Sequence, residues 1–301
     1  MRAAPWTEIA DRVFVQRNDY LDVNVGLVVG DALCLVVDTG WDEQRGFELA
    51  RSVRAVTSLP WQVVLTHAHF DHAYGTAALT PAPVWGTPGC AHWLGPLGGD
   101  HRERVMGELR ATGEFDVADR VAATRLVPPD RLVAHREHVD LGGRSAHLLY
   151  GGLGHTDHDL VLAVPDAGAV FWGDLLEVGA DPAYDDGYPR DWGNTLSHLL
   201  DTVEVGLARI CVPGHGGVVG RDAVEEQCDQ HQRLAWFLGE GLGCGERDPA
   251  ALVRRGLGSG FGEDAVRHAV ERLLQLERRG GYGAEGPSGG AGSFALGQGE
   301  C

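Results

Sequence analysis

The sequence predicts an α+β protein, and three observations carry that prediction. Short apolar runs bounded by Gly, Pro, Asn and Asp recur along the chain, as strands do. The stretches 42–57, 191–207, 221–239 and 264–279 space their apolar residues as helices do. One run, Trp61-Gln62-Val63-Val64-Leu65, ends in a loop that passes straight into helical sequence, and that loop, Thr66-His67-Ala68-His69-Phe70-Asp71-His72, gathers three imidazoles and a carboxylate within six residues.

Taken in order, Arg12 to Arg17, Asp22 to Val29 and Leu33 to Val37 read as strands, turning at Asn18-Asp19 and Gly30-Asp31. Asp38 ends the third, either as a turn residue bonding nearby backbone or as a group near a site. Asp42 to Thr57 has helical spacing, with Phe47, Leu49, Ala50, Val53 and Val56 as its inward stripe. In the loop after the next strand, the period of two in an extended chain puts His67 and His69 on one face, where both reach a single metal ion. Asp71 and His72 fall where the helix His72 to Leu79 begins, so they face a second ion. Zinc suits such nitrogen and oxygen donors. The alternative is a polar loop with histidines clustered by chance, but HxHxDH is far more restrictive than a lone HxxxH.

A short strand near Val84-Trp85 precedes a long polar stretch from Thr87 to Arg125, helical around His101 to Arg110 and Phe115 to Ala123, which is a lid or pocket wall or plain packing. Its isolated His92 and His101 read as surface or hydrogen-bonded groups rather than ligands. Strand signals return at 131–133, 137–141 and 145–150, and Gly151-Gly152-Leu153-Gly154 then gives a flexible approach to His155. Leu160 to Val164 and Ala169 to Trp172 form a hairpin whose second strand delivers Asp174. From Leu175 to Trp192 aromatics mix with turn residues. There Tyr184, Tyr188 and Trp192 either form a pocket wall that touches substrate or pin the loop to the core. Asp191 to Leu207 is helical, and Arg209 to Val212 is the strand leading to Pro213-Gly214-His215-Gly216. Helices follow at 221–239, 249–257 and 264–279, and the Gly-, Ser- and Ala-rich stretch 280–301 is expected to be a disordered tail.

With 301 residues, 44% hydrophobic content and 8 Trp, the chain can build a substantial core. The division expected is a catalytic domain over 1–240, a helical extension over 241–279 and the tail over 280–301. A net charge of −18 argues against a nucleic-acid partner, because neutralising phosphates takes clustered cations. The first residues lack the apolar core of a signal peptide, and no run approaches the roughly 18 apolar residues of a membrane span. The six cysteines are scattered, so a cytoplasmic protein without required disulfides is expected, acting on a small molecule. Nothing in the sequence fixes its oligomeric state.

From about Val13 to His231 the sequence resembles the metallo-β-lactamase superfamily of metallohydrolases. His67, His69, Asp71 and His72 match its first motif, His155-Thr156 the next, Phe171-Trp172-Gly173-Asp174 the third and Pro213-Gly214-His215-Gly216 the last, and Asp38-Thr39-Gly40 matches a turn the family often carries near its site. The resemblance implies a four-layer αββα sandwich. It also implies two divalent ions, zinc foremost with iron or manganese as options, one on His67, His69 and His155 and the other on Asp71, His72 and His215. Asp174 would bridge them and orient a shared hydroxide, and Asp71 would pass a proton to the leaving group. Such ligands permit hydrolysis of an ester, thioester, lactone, lactam, phosphodiester or sulfate without selecting among them. A bridging Asp rather than Cys is similar to glyoxalase II and the lactonases, and an ester, thioester, lactone or lactam-type bond is expected. His158, in His155-Thr156-Asp157-His158-Asp159, departs from the family pattern and reads as a supporting group rather than a ligand. The rivals are a mononuclear non-haem iron oxygenase of the persulfide dioxygenase type and a metal-binding protein without turnover.

Overall fold

The structure is a computed structural model, described for residues 5–206 and 208–280. Seven strands form the first sheet in chain order: β1 (Thr7–Ala10), β2 (Val13–Arg17), β3 (Asn24–Val29), β4 (Cys34–Val37), β5 (Trp61–Val64), β6 (Val84–Gly86) and β7 (Arg131–Leu132). β1 to β4 pair antiparallel and β4 to β7 parallel. Parallel neighbours need crossovers, and these carry helices. α1 (Glu43–Val56) lies before β5; α2 (Phe70–Ala73) and a 3-10 turn (Tyr74–Leu79) before β6; α3 (Pro88–Leu94), α4 (Gly98–Ala111) and α5 (Phe115–Ala123) before β7.

The second sheet runs β12-β11-β10-β9-β8, from β8 (Arg136–Asp140), β9 (Ser145–Tyr150), β10 (Leu160–Val164), β11 (Ala169–Glu177) and β12 (Ile210–His215). Its parallel pair, β11 and β12, is joined through α6 (Trp192–Leu200) and α7 (Val203–Gly206). α8 (Arg221–Gly243), α9 (Pro249–Gly256) and α10 (Glu263–Arg278) follow.

Alternation along the strands builds the layers. Val28, Leu35 and Val37 point between the sheets to Leu148, Leu162 and Phe171. Leu27, Cys34 and Val36 point outward to Leu49 and Val53 of α1 and Val105 of α4. Val161, Val170 and Trp172 face α6, α8 and α10 through Leu196, Leu234 and Val270. The result is the αββα sandwich. α8 runs through position 240, and Leu242, Leu252 and Val266 beyond it pack in the same core as Trp172.

Three expectations change. On α1, Phe47 and Val56 are 54% and 37% exposed, whereas Gly46, Leu49 and Val53 face inward. The helix lies so close to the 3-10 turn that a Cβ on Gly46 would stand 2.1 Å from the Gly75 carbonyl, which sets the contact line and turns Phe47 away. β11 continues past Trp172 to Glu177, with a shift in register around Gly173, because parallel pairing with β12 holds it as far as His215. Asp174 therefore sits within a strand. The helix expected over 191–207 is divided into α6 and α7. Cys34, Cys90, Cys211 and Cys228 are buried free thiols. Among the described residues no helix is long and apolar enough to cross a membrane. The tail expected from position 280 lies, beyond Gly280, outside the described residues.

Candidate metal centre

The site lies where strand ends from both sheets meet. β5 leaves its sheet after Val64, and Thr66 fixes the exit by donating from N and Oγ1 to the Asp38 carboxylate at 2.8 and 2.8 Å. The chain then runs extended to His69, which caps α2, so Asp71 and His72 occupy the first turn of that helix. His155 lies between β9 and β10, in a turn where Thr156 donates from N and Oγ1 to Asp159 at 2.8 and 2.7 Å. Asp174 comes from β11 and His215 from the end of β12. Asn24 of β3 ties the sheets together here by donating to the carbonyls of Pro213 and Gly216 at 3.0 and 2.9 Å. Position 214 has room for glycine alone, since a Cβ there would stand 1.8 Å from Asp174 Oδ1.

All seven expected ligands converge, in two sets. In the first, His69 Nδ1 and His155 Nε2 are 2.9 Å apart, and Asp174 Oδ2 lies 3.6 Å from His67 Nε2 and 3.4 Å from His155 Nε2. In the second, His215 Nε2 lies 3.2 Å from His72 Nε2 and 3.3 Å from Asp71 Oδ2, with His72 Nε2 and Asp71 Oδ2 at 3.6 Å. Asp174 reaches this set as well, its Oδ1 at 3.1 Å from His72 Nε2 and Oδ2 at 3.4 Å from His215 Nε2. Donors bonded to a tetrahedral ion at about 2.0–2.1 Å lie about 3.3 Å from one another, so both sets have the spacing zinc requires. His67 Nε2 is buried and has no hydrogen-bond partner among the described residues, as expected of a lone pair meant for an ion. The residues fit the metal centre that the motif implies.

In four of the five ligand imidazoles the ring nitrogen facing away from the set is held from behind, which fixes the ring and its tautomer. His72 Nδ1 meets Asp38 at 2.9 Å, His67 Nδ1 meets the Thr66 hydroxyl at 3.1 Å, His69 Nε2 meets Asp186 at 3.2 Å, and His215 Nδ1 donates to the Leu21 carbonyl at 2.7 Å. His155 is backed by the Trp192 ring, edge-on at 5.6 Å. Burial holds His67 well below the ordinary imidazole range and brings His155 down to about 3. Burial acts the same way on His72 and His215, but Asp174 foremost and Asp71 outweigh it and hold both high. Burial would raise Asp71 and Asp174, yet His72 and His215 bring Asp71 down to about 2 and Asp174 well below the carboxylate range. Two ionised carboxylates thus face four imidazoles, and capturing ions displaces protons.

Above the ligands opens a cavity of about 460 Å³. α4 forms one wall with His101, Arg104, Val105 and Glu108, spaced as one helix face, so the long polar stretch does contribute a pocket wall. The segment from Glu177 to Asp186 forms another. Burial and then Asp174 push Glu177 well above the usual carboxylate range, and burial brings His101 down to about 3. The aromatic residues expected to touch substrate are placed elsewhere. Tyr184 and Trp192 are wholly buried in the core under α6, α8 and α10, because Tyr184 bonds His231 at 2.8 Å and Trp192 donates to the Leu175 carbonyl at 3.1 Å. Tyr188 lies under Arg272 of α10, off the cavity. His158 accepts from the Ala68 N–H at 3.2 Å and meets Asp157 at 2.6 Å, so it holds the backbone between His67 and His69. Asp186 and Arg104 had no marker in the sequence, and His101 read only as a surface or hydrogen-bonded group. The contacts that bring them to the site, Asp186 with His69 and Arg104, and His101 with Tyr74, join distant parts of the chain.

The model of the Metallo-beta-lactamase superfamily matches residues 18–215. No curated protein matches the sequence. The fold is similar to that of a metallo-β-lactamase from Pseudomonas aeruginosa in its mono-zinc form, at TM-score 0.60 and 18% identity over 78% of this chain and 98% of that one. It is similar to one from Erythrobacter litoralis with β-mercaptoethanol in the active site, at TM-score 0.56 and 21% identity over 75% and 95%. A third, from Pontibacter korlensis, gives TM-score 0.59 and 20% identity over 75% and 98%. A layered sandwich, ligands in family order and a family match across the whole site agree: the chain belongs to the metallo-β-lactamase superfamily.

Proposed function

We propose that this chain is a hydrolase that uses two divalent ions, zinc foremost, to cleave an ester, thioester, lactone or lactam-type bond in a small neutral or positively charged molecule. The observation that carries this is Asp174, one carboxylate within reach of two complete donor sets at the floor of a cavity. His67, His69 and His155 would hold one ion, and Asp71, His72 and His215 the other. Ions bound there polarise a substrate oxygen and make water acidic enough to ionise near neutral pH. The protein does the rest. Asp38, Thr66, Asp186 and the Leu21 carbonyl keep the imidazole lone pairs aimed. Phe70, Val105 and Val178 lend the wall apolar surface that excludes water. Asp71, ionised and part of the second set, would take up a proton from the attacking water and relay it to the leaving group.

The charge on the wall supports the substrate class. Arg104 is engaged by Asp186 at 3.1 Å and Glu108 at 3.4 Å. Asp22 pairs with Arg17 at 2.5 Å. Asp185, on the wall, has no cationic partner among the described residues, whereas Glu177 lies beside Asp174 and His215 and burial favours its neutral form. A wall whose arginine is already engaged and whose Asp185 is unpaired offers a phosphodiester or sulfate no counter-charge and accepts a neutral or basic molecule.

Metal analysis and a panel of esters, thioesters and lactones matched for size but differing in charge test this. Two ions per chain, turnover without oxygen and rates at least about tenfold higher for neutral or basic members than for anionic ones are expected. One iron per chain, with oxygen consumed alongside glutathione persulfide and no hydrolysis across the panel, would place the chain with the oxygenases instead.

A further inference from the structure

We infer that His101 is a substrate-binding residue, whose Nε2–H donates to a neutral acceptor oxygen, a carbonyl, ether or hydroxyl, of the molecule held over the metal centre. This rests on the cavity being the hydrolytic site proposed above. His101 lies in the first turn of α4, is 3% exposed and lines the cavity, with its ring centroid 6.0 Å from that of His69. Its orientation is fixed on two sides. Trp93 packs edge-on at 5.6 Å, and the Tyr74 hydroxyl lies 3.1 Å from Nδ1.

That second contact decides which nitrogen carries the hydrogen. Tyr74 is wholly buried, and among the described residues its hydroxyl meets no polar group besides His101 Nδ1. If Nδ1 carried the hydrogen, the phenol O–H would be left buried without an acceptor, which costs more than a made hydrogen bond returns. Tyr74 therefore donates, Nδ1 accepts, and a neutral ring holds its hydrogen on Nε2. No described group accepts a hydrogen bond from Nε2. The acidic and basic side chains lining the cavity are chiefly Asp and Glu, and Arg104 is already engaged by Asp186 and Glu108. His101 is thus a neutral donor among acceptors, and its ligand is an uncharged oxygen.

Nitrogen-15 NMR of histidine-labelled protein distinguishes the two neutral tautomers and needs no turnover. A protonated Nε2 on His101 is expected, and a protonated Nδ1 would overturn the inference. His101→Phe keeps the packing and removes both nitrogens; kcat/KM on the preferred substrate should fall roughly tenfold to a hundredfold at unchanged metal content. His101→Gln, whose amide nitrogen reaches about as far as Nε2, should recover part of the loss. Equal kcat/KM in all three forms would overturn the inference and leave hydrolysis standing. If the Phe variant does not fold, His101→Gln is compared with His101→Glu, of equal length but with an acceptor in place of the donor. A slower Glu variant supports the donor, and equal rates reject it. A protonated Nε2 in a protein inactive across the whole panel supports the donor and sinks hydrolysis alone.

Discussion

His231 is buried without a counter-ion. Its Nδ1 accepts from Tyr184 at 2.8 Å, its ring stacks on Trp192 at 4.3 Å, and Nε2 finds no partner among the described residues. Burial lowers it from 6.5 to about 3, so it is neutral in the fold. Between those values the unfolded chain binds a proton that the folded chain does not. The stability that neutral His231 contributes is therefore full above about 6.5 and is lost as pH falls toward about 3. By pH 5 the loss comes to about 2 kcal/mol. His231→Asn keeps an oxygen to accept from Tyr184 and does not titrate, so denaturant unfolding should show it losing about 2 kcal/mol less than the wild type between pH 7 and pH 5. Parallel pH curves for the two proteins would show that the proton is taken up elsewhere. Single residues differed in how legible they were. His67, His69, Asp71 and His72 announce themselves because four donors fall within six positions. His101 and His231 owe their states to Tyr74 and Tyr184, which only the folded chain brings to them.

At the scale of elements, the segment between β11 and α6 joins parts of the molecule that are distant in sequence. Asp186 meets His69 at 3.2 Å and Arg104 of α4 at 3.1 Å, while Arg272 of α10 donates to the carbonyls of Asp186 and Gly187 at 3.1 and 2.9 Å. The two contacts of the Asp186 side chain differ in worth. Support behind a ligand imidazole typically changes metal affinity by about ten- to a hundredfold, so Asp186→Asn should weaken binding to that degree in competition with a chelator. The ion pair is partly exposed, at 41% and 24%, and Arg104→Ala should cost less than about threefold. Similar losses in both variants would mean that α4, rather than the carboxylate, positions His69. The sequence indicated most strands and helices because their apolar periods are local. It misled where a long-range contact overrode the period: at Phe47, turned out by the meeting of Gly46 and Gly75, and in the loop carrying Tyr184, whose aromatics are drawn into the core by helices that come much later.

At the scale of the molecule, the αββα order followed from the resemblance of the ligand motifs rather than from strand patterns, which do not reveal how two sheets face one another. Each donor set draws on both sheets, so a bound ion cross-links the halves. Chelation should lower the melting temperature by several degrees while leaving far-UV circular dichroism nearly unchanged, and the loss should scale with free metal concentration. An unchanged melting temperature would mean that the sandwich is indifferent to its ions. The same arrangement bears on biogenesis. On a translating ribosome His67 to His72 emerge well before β11 and β12 exist, and a half-made chain presents an incomplete chelate at the end of a strand. Neither set closes until β11 is laid down, and the second waits for His215 at the end of β12, held in place through Asn24. A chain would then complete its centre only if ions are at hand once β12 is in place, which makes occupancy answer to metal supply after His215 is made.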